Sequence, residues 1–380
     1  MPANLSPEYK EAEHAYKRAR EPRERLECLR EMLRTIPKHK GTEHLQADIK
    51  SRIRELTDEL AAPRKGGRSH ASALRREGAA QVCLVGPPNS GKSTLHAVLT
   101  GSRSEAGPFP FTTQSPVPGM LPFEDIAFQL VDLPPVAAEH LAPELFGVLQ
   151  SADAAWLVVD LADPATPEQV LAVRDELARR KIMLDERWPG ERAVAPADAG
   201  VQDDDIFRVR LPTLLVANKS DLDPEPDEAK VLEELLGLRF PALCVSAKAG
   251  SGLGELAPFL ARALGIVRVY TKLPGKAADR SRPFTLRAGD RVLDVARLVH
   301  ADVAGSLKYA RVWGSGEFDG QQVGPEHRVA DGDVLELHSR CCGSKAVVPS
   351  YAGARRYSVF GKFPSRPDTT PRHSGMKVRH

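Results

Sequence analysis

The eight residues GPPNSGKS, Gly86 to Ser93, constrain this chain more than any other stretch. They follow the apolar run QVCLV and open into the helical pattern GKSTLHAVLTG. That order of strand, glycine-rich turn and helix matches a phosphate-binding loop. Glycines let backbone N–H groups turn inward around an anion, and the helix N-terminus adds positive potential. Gly86, Asn89, Ser90, Gly91, Lys92, Ser93 and Thr94 are therefore nucleotide-binding candidates. Lys92 is expected to reach the β- and γ-phosphates, and Ser93 to ligate Mg²⁺.

Four further runs have the length and continuous apolarity of strands buried on both faces: IAFQLV, AAWLVV, TLLVA and ALCV. Helical patterns alternate with them, which predicts an α/β domain over 79–266 built on a mostly parallel sheet. The long connection from Asp163 to Arg210 carries WPGERAVAPADAGVQDDD and reads as a surface insertion around 164–210. Beyond Ile266 come VRVYTKLPG, RPFTLRAGD, a helical stretch from Val292 to His300, YARVWG and DVLELH, a small α+β unit over 267–340. Trp313 reads there as core rather than as a base-stacking platform. Upstream, Leu26, Leu29, Leu33 and Ile36 form one helical stripe, and Leu45, Ile49, Ile53, Leu56 and Leu60 another. PKHKGTE separates them, with a candidate N-cap at Thr42, so 1–78 reads as a helical hairpin and a linker. The last segment, 341–380, is rich in Arg, Lys, Ser, Pro and Gly and reads as a disordered tail.

NKSD, Asn218 to Asp221, ends the strand TLLVA. A carboxylate at the base edge accepts two hydrogen bonds from the N1–H and 2-amino group of guanine, donors that adenine lacks. A buried acceptor left unpaired costs about 1–3 kcal/mol, so Asp221 selects guanine. Asn218 and Lys219 complete this motif. SAK, Ser246 to Lys248, follows the next strand and places the Ala247 N–H for the guanine O6. These motifs, in this order, imply a domain that binds GTP and GDP. PFTT, Pro110 to Thr113, lies between them and the loop, where a threonine can close over the nucleotide and give an oxygen to Mg²⁺. Thr113 is the first choice and Thr112 the second; an ordinary threonine-rich loop is the competing reading.

Charge is distributed unevenly. Residues 1–80 carry 18 basic and 13 acidic side chains, 81–266 carry 15 and 27, 267–340 carry 12 and 10, and 341–380 carry 8 and 1. An acidic centre flanked by basic ends points to an anionic partner for the appendages. No apolar run approaches the roughly 18 residues of a membrane span, and the charged N-terminus lacks the apolar core of a secretory signal. Cys28, Cys83, Cys244, Cys341 and Cys342 have neither metal-ligand nor disulfide spacing. A cytoplasmic protein with no membrane partner is expected.

From Leu26 to Arg340 the chain resembles GTPases of the Obg and developmentally regulated GTP-binding protein group. The likeness rests on TIPKHKGTEHL, GPPNSGKS, SEAGPFPFTTQSPVPG, VDLPP, NKSD and SAK, then on YTKLPG, LKYARVWG, VGPEH and DGDVLELH. The last four resemble a TGS domain, a ubiquitin-like sheet. The resemblance implies a slow, Mg²⁺-dependent GTPase that associates with ribosomes or RNA in translation, with a partner protein of the type that binds this group. The connection before NKSD is shorter than the group's inserted domain, so no function of that insertion carries over.

The group's third motif reads D-L-P-G, and here it is DLPP. Asp132 keeps the aspartate that holds Mg²⁺ through water. Pro135 replaces the glycine whose N–H bonds the γ-phosphate, and a proline has no N–H to give. A hydrogen bond to a charged group contributes about 1.5–3 kcal/mol, so the loss costs roughly tenfold to a hundredfold in telling GTP from GDP. Val136 stands where Ras-like enzymes carry the glutamine that orients water. Downstream, Glu139 and His140 read as solvated helix groups rather than as catalytic ones. Related GTPases with asparagine at the Asn89 position bind K⁺ beside the phosphates; a loop-stabilising asparagine is the other reading. Two rivals to a switching GTPase follow: a scaffold that holds GTP or GDP without hydrolysis, and an RNA-binding adaptor with a vestigial nucleotide site.

Overall fold

The computed structural model describes residues 6–19, 22–37, 42–61, 74–102, 115–136, 143–190, 207–222, 237 and 239–339. They form two compact units, one drawn from Met1–Phe123 and Phe128–Val267, the other from Glu124–Ala127 and Arg268 onward.

The first unit opens with helices α1 (Pro7–Arg18), α2 (Pro22–Thr35) and α3 (Glu43–Ala61). The expected hairpin is α2 and α3, and α1 is an addition to it. Its stripe of Tyr9, Ala12 and Tyr16 is thinly apolar and set among charges, which hid it from a reading based on aliphatic periodicity. Ser6 caps α1: its hydroxyl oxygen accepts from the Tyr9 amide at 3.2 Å and its proton goes to the Thr35 carbonyl at 3.1 Å. One side chain thus starts α1 and fastens it to the end of α2. Tyr9, Tyr16, Leu29, Met32, Ile36 and Ile49 share a core, whereas Leu60, the last of the predicted stripe, is 41% exposed.

Seven strands follow: β1 (Gln81–Val85), β2 (Val117–Phe123), β3 (Ile126–Asp132), β4 (Ala154–Asp160), β5 (Ile182–Asp185), β6 (Val209–Asn218) and β7 (Ala242–Cys244). Their order is β2-β3-β1-β4-β6-β5, with β7 also paired to β6. β1 runs parallel to β3 and β4, and β6 parallel to β4, β5 and β7. The two-residue turn Glu124–Asp125, with Glu124 at φ 51°, folds β2 back on β3 as a hairpin. Helices α4 (Lys92–Thr100), α5 (Pro143–Ser151), α6 (Thr166–Arg179) and α7 (Leu256–Ala263) complete the unit. β1 and β3 are buried along their whole lengths, as continuous apolar runs in a two-sided parallel sheet require.

Two expectations need correction here. ALCV is no buried strand: β7 spans three residues that are half-buried or exposed. The stretch 164–210 is not simply an insertion, since it contains α6, β5 and the start of β6. Its Trp188 is 1% exposed and meets Phe259 of α7 edge-on at 5.2 Å, so the connection is tied into the core; 191–206 lie outside the described residues. The helical segment packs within the first unit. Phe207, just before β6, packs in the helical core with its ring 6.3 Å from Tyr16, Arg52 of α3 donates to Gln150 of α5, and Arg76 pairs with Asp153.

The second unit has β8 (Ile266–Thr271), β9 (Asp279–Arg287), α8 (Val292–Val299), α9 (Ala301–Ser306), β10 (Leu307–Trp313), β11 (Gln321–Val323) and β12 (Asp333–Ser339). The sheet order is β11-β10-β12-β8-β9, with β12 parallel to β8 and antiparallel to β10. Val292, Val295, Ala296 and Val299 form the buried stripe of α8, whose start is fixed by the Arg291 N–H donating to Asp294 at 3.0 Å. Ala310, Val312 and Leu335 point to the buried side. Trp313, out of phase with Val312, therefore lies on the other side, half-buried, with the Lys272 ammonium 3.5 Å from its ring centre. It is not a core residue, because alternation along β10 and not hydrophobicity sets its face. Among the described residues no helix is long and apolar enough to cross a membrane. The tail, 341–380, lies outside the described residues.

Candidate functional site

The site sits at the carboxyl ends of β1, β3 and β6, where open parallel sheets bind ligands. β1 ends at Val85 and the chain turns at Gly86, with φ 150°. A Cβ there would lie 2.2 Å from the Val158 carbonyl oxygen of β4, so only glycine lets the loop leave beside that strand. Asn89 takes a left-handed conformation at φ 60°, and Gly91, the N-cap of α4, takes φ 89°. A Cβ on Gly91 would meet the Asn218 Nδ2 at 2.3 Å.

Lys92 is 5% exposed. Its ammonium donates to the Pro87 carbonyl at 2.6 Å and the Gly86 carbonyl at 3.1 Å, and lies 3.5 Å from the Ser90 hydroxyl. Burial pushes its pKa down to about 8, against the pull of the Asp132 carboxylate. The cation is thus desolvated inside a loop of inward-facing backbone and is met by neutral carbonyls. Thr94 stands exposed on the first turn of α4. Ser93 donates its hydroxyl proton to Asp132 Oδ2 at 2.6 Å, which joins the start of α4 to the end of β3.

Asn218 ties the loops that carry NKSD and SAK to the GPPNSGKS loop. Its Nδ2 donates to the Ser90 carbonyl at 3.0 Å and its Oδ1 accepts from the Ala247 N–H at 3.1 Å. The Ala247 amide assigned from sequence to the guanine O6 is therefore already satisfied within the protein. Lys219, at φ 65°, pairs with Asp160 at 2.5 Å. Ser246, fully buried, donates to Asp221 Oδ1 at 2.6 Å and accepts from the Ala249 N–H at 2.9 Å. That hydrogen bond, then the nearby Lys248 and Lys219, hold the Asp221 carboxyl below the usual range although it faces solvent. An ionised, oriented and accessible carboxylate is what two guanine donors need.

Sequence reading missed two participants. Asp160 ends the apolar strand AAWLVVD opposite Asn218 in the register, and a lone acid closing a buried strand was the available signal. His96, on the buried side of α4, has Nδ1 3.2 Å from the Ser102 hydroxyl, and burial lowers its pKa. Nothing in the motif pointed to it.

The segment after β3 departs from a mobile loop. Pro135 is half-buried, and Val136 is 5% exposed in the core with Leu133, Leu145, Phe146 and Leu149. Thr112, Thr113, Glu139 and His140 lie outside the described residues. Among the described residues, no group of three or more His, Cys, Asp or Glu side chains could hold a metal ion.

Residues 81–186 match a family described as a 50S ribosome-binding GTPase, and 267–339 match the TGS domain. An uncharacterized GTP-binding protein of Halobacterium salinarum is 30% identical, covering 83% of this chain and 99% of the relative. One of Methanocaldococcus jannaschii is 28% identical over 83% and 92%. Developmentally-regulated G-protein 2 of Arabidopsis thaliana is 26% identical over 88% and 94%. Among solved structures, a GTP binding protein from Pyrococcus horikoshii OT3 matches 68% of this chain and 100% of that one at 17% identity, with a TM-score of 0.45.

Proposed function

Because this chain belongs to the family of developmentally regulated GTP-binding proteins, with a GTPase domain followed by a TGS domain, we propose that it binds GTP and GDP with Mg²⁺, hydrolyses GTP slowly and acts on RNA or ribosomes. The observation that carries the nucleotide reading is Asn218, whose one side chain fixes the phosphate loop and the SAK loop to the NKSD strand. Such a tie sets the distance between a phosphate site and a base site.

In this reading Lys92 exchanges its bonds to the Gly86 and Pro87 carbonyls for the β- and γ-phosphates, and the charge it gains there offsets its desolvation. Gly86, Asn89, Ser90, Gly91 and Thr94 line the phosphates. Asp221 accepts from N1–H and the 2-amino group, Ser246 holds that carboxylate, and Lys219 is held beside the base by Asp160. Lys248 adds positive potential next to Asp221. The Ala247 amide either shares its proton between Asn218 and the guanine O6 or passes it to the base.

The donor set fits Mg²⁺: a hydroxyl and a carboxylate oxygen, both hard ligands, stand 2.6 Å apart at the phosphate end. Ser93 would hold the ion directly, Asp132 through water and Thr113 from the segment before β2; the ion would neutralise charge between the β- and γ-phosphates. Asn89, on the rim of the loop, is the candidate ligand for K⁺. RNA or ribosome contact rests on the basic ends of the chain.

A second reading, a nucleotide-holding protein that does not switch, is favoured by Pro135 and by the burial of Val136. GTP and GDP affinities and single-turnover hydrolysis, with and without K⁺, separate the two when parent and Pro135→Gly are compared. Restoring the N–H is expected to raise the GTP-over-GDP preference by about tenfold or more. An unchanged preference would show that the missing donor is irrelevant to how the γ-phosphate is read.

A further inference from the structure

Arg25 of α2 is half-buried, and its Nε is buried with no hydrogen-bond partner. The guanidinium lies over the buried ring of Tyr16, with Cζ 5.4 Å from the ring centre, and no carboxylate among the described residues pairs with it. Two more guanidiniums come to the same place. Arg52 of α3 donates to Gln150 Oε1, and Arg76, from the segment before β1, donates to the Ser151 carbonyl and pairs with Asp153. Gln150 and Ser151 end α5 and Asp153 stands just beyond, so both side chains converge on one helix end. Arg25 feels them. Burial lowers its pKa first, the Tyr16 hydroxyl acts against that, and the charges of Arg52 and Arg76 lower it further.

Folding thus gathers arginines from three separate stretches inside one compact unit. Acceptors at the end of α5 turn Arg52 and Arg76 towards it. Arg25 is offered an aromatic face and two like charges instead, and a buried N–H without an acceptor is costly. A methionine would cover Tyr16 without the repulsion. What the position lacks is an anion. The paired N–H donors of a guanidinium match two oxygens of a phosphate group. The Arg25 Nε has no solvent access and the Arg76 side chain is 20% exposed, so these charges are recessed. A polymer backbone is held by side chains that project towards it, whereas a recessed fork takes an ion small enough to enter. Asp153 also accepts from the Gln81 N–H at the start of β1, which puts the cluster at the amino ends of β1 and β4. The phosphate loop lies at the opposite, carboxyl end of β1.

We propose that Arg25, with Arg52 and Arg76 beside it, forms a site for a small phosphate dianion at the joint between the helical segment and α5. The site is separate from the nucleotide site and does not rest on the reading of that one.

Orthophosphate is the probe, and the full chain is held with GDP and Mg²⁺ so that the phosphate loop is filled. Equilibrium dialysis of labelled orthophosphate measures binding by the parent, Arg25→Met and Arg25→Lys. Urea unfolding in about 20 mM phosphate, or in sodium chloride of equal ionic strength, measures the effect on stability. Arg25→Met keeps a stem over Tyr16 and removes the charge. It is expected to weaken phosphate binding about tenfold to a hundredfold, to lose the rise in urea midpoint that phosphate gives the parent, and to be no less stable than the parent in chloride. Arg25→Lys keeps the charge without the fork and is expected to bind with intermediate strength. Competition by glycerol phosphate, or its absence, tells an esterified from a free phosphate, and either result keeps the site.

Orthophosphate binding that is equal in Arg25→Met and the parent would place the ion elsewhere and overturn the proposal. So would the absence of binding at about 20 mM. Arg25→Met that loses the same stability in chloride as in phosphate would mark a purely structural arginine and overturn it too. A single-stranded oligoribonucleotide that binds through Arg25 while orthophosphate does not would assign the cluster to a polymer, with the same consequence. None of these results bears on the nucleotide reading, which the GTP and GDP affinities test by themselves.

Discussion

Asn218→Ala tests whether one side chain holds the site together. The substitution removes a 3.0 Å bond to the Ser90 carbonyl and a 3.1 Å bond from the Ala247 N–H. Asn218 is 2% exposed, Ser90 0% and Ala247 7%, so solvent does not readily replace either partner. An unpaired buried donor or acceptor costs about 1–3 kcal/mol, which puts the loss at about 2–6 kcal/mol for the nucleotide-free protein. Asn218→Asp separates the two halves. It keeps an acceptor for the Ala247 N–H and turns an oxygen towards the Ser90 carbonyl, so the damage falls on the phosphate loop. Urea unfolding of the free protein gives the stability of each variant, and titration with a fluorescent GDP analogue gives the affinity. Both variants are expected to lose stability, and both to bind GDP at least tenfold more weakly. If Asn218→Ala unfolds within about 0.5 kcal/mol of the parent and binds GDP normally, the tie is not structural and the argument built on it fails.

Two other outcomes follow from the same geometry. The Lys92 pKa of about 8 lies below its ordinary 10.5, so between those values the unfolded chain binds more protons than the folded one. Stability of the nucleotide-free protein therefore rises as pH climbs from about 8 towards 10, by up to about 3 kcal/mol, and urea midpoints of parent minus Lys92→Met across that range read the gain without other titrating groups. Gly86→Ala puts a methyl 2.2 Å from the backbone oxygen of Val158, in a strand paired on both sides. It is expected to cost several kcal/mol or to prevent soluble expression, and a melting temperature equal to the parent's would refute that packing.

Much of this was legible because short motifs fix backbone geometry. GPPNSGKS announced strand, turn and helix, and Gly86 and Gly91 take the positive φ values that the motif requires. NKSD and SAK marked two loops at strand ends, but not that Asn218 would bridge them to Ser90 and Ala247, since a long-range hydrogen bond leaves no periodic trace. α1 escaped because two tyrosines and an alanine supply its buried face. The depth of the connection before β6 escaped because Trp188 is a single apolar residue among polar ones. Trp313 was misread for a related reason: large apolar residues are usually inside, yet the strand's alternation turned this one to the face that carries Arg311.

The segment from Asp132 to Val136 brings these threads to the question of switching. It is pinned at both ends, by the Ser93 bond to Asp132 and by Val136 in the core, with Leu133 2% exposed between them. Pro134 and Pro135 fix φ at the two remaining positions. A loop that reads the γ-phosphate by moving would have to withdraw Val136, at a cost of about 1.5–3 kcal/mol for a buried valine. A missing donor and a restrained backbone are thus separate losses. Glycine at 135 returns the N–H and one freed φ but does not release Val136. Improved discrimination of GTP with an unchanged hydrolysis rate is therefore the signature of a site that lacks a hydrogen bond in a loop held by its neighbours. A rate that rises together with the affinity would mean that Pro135 itself was holding the loop still.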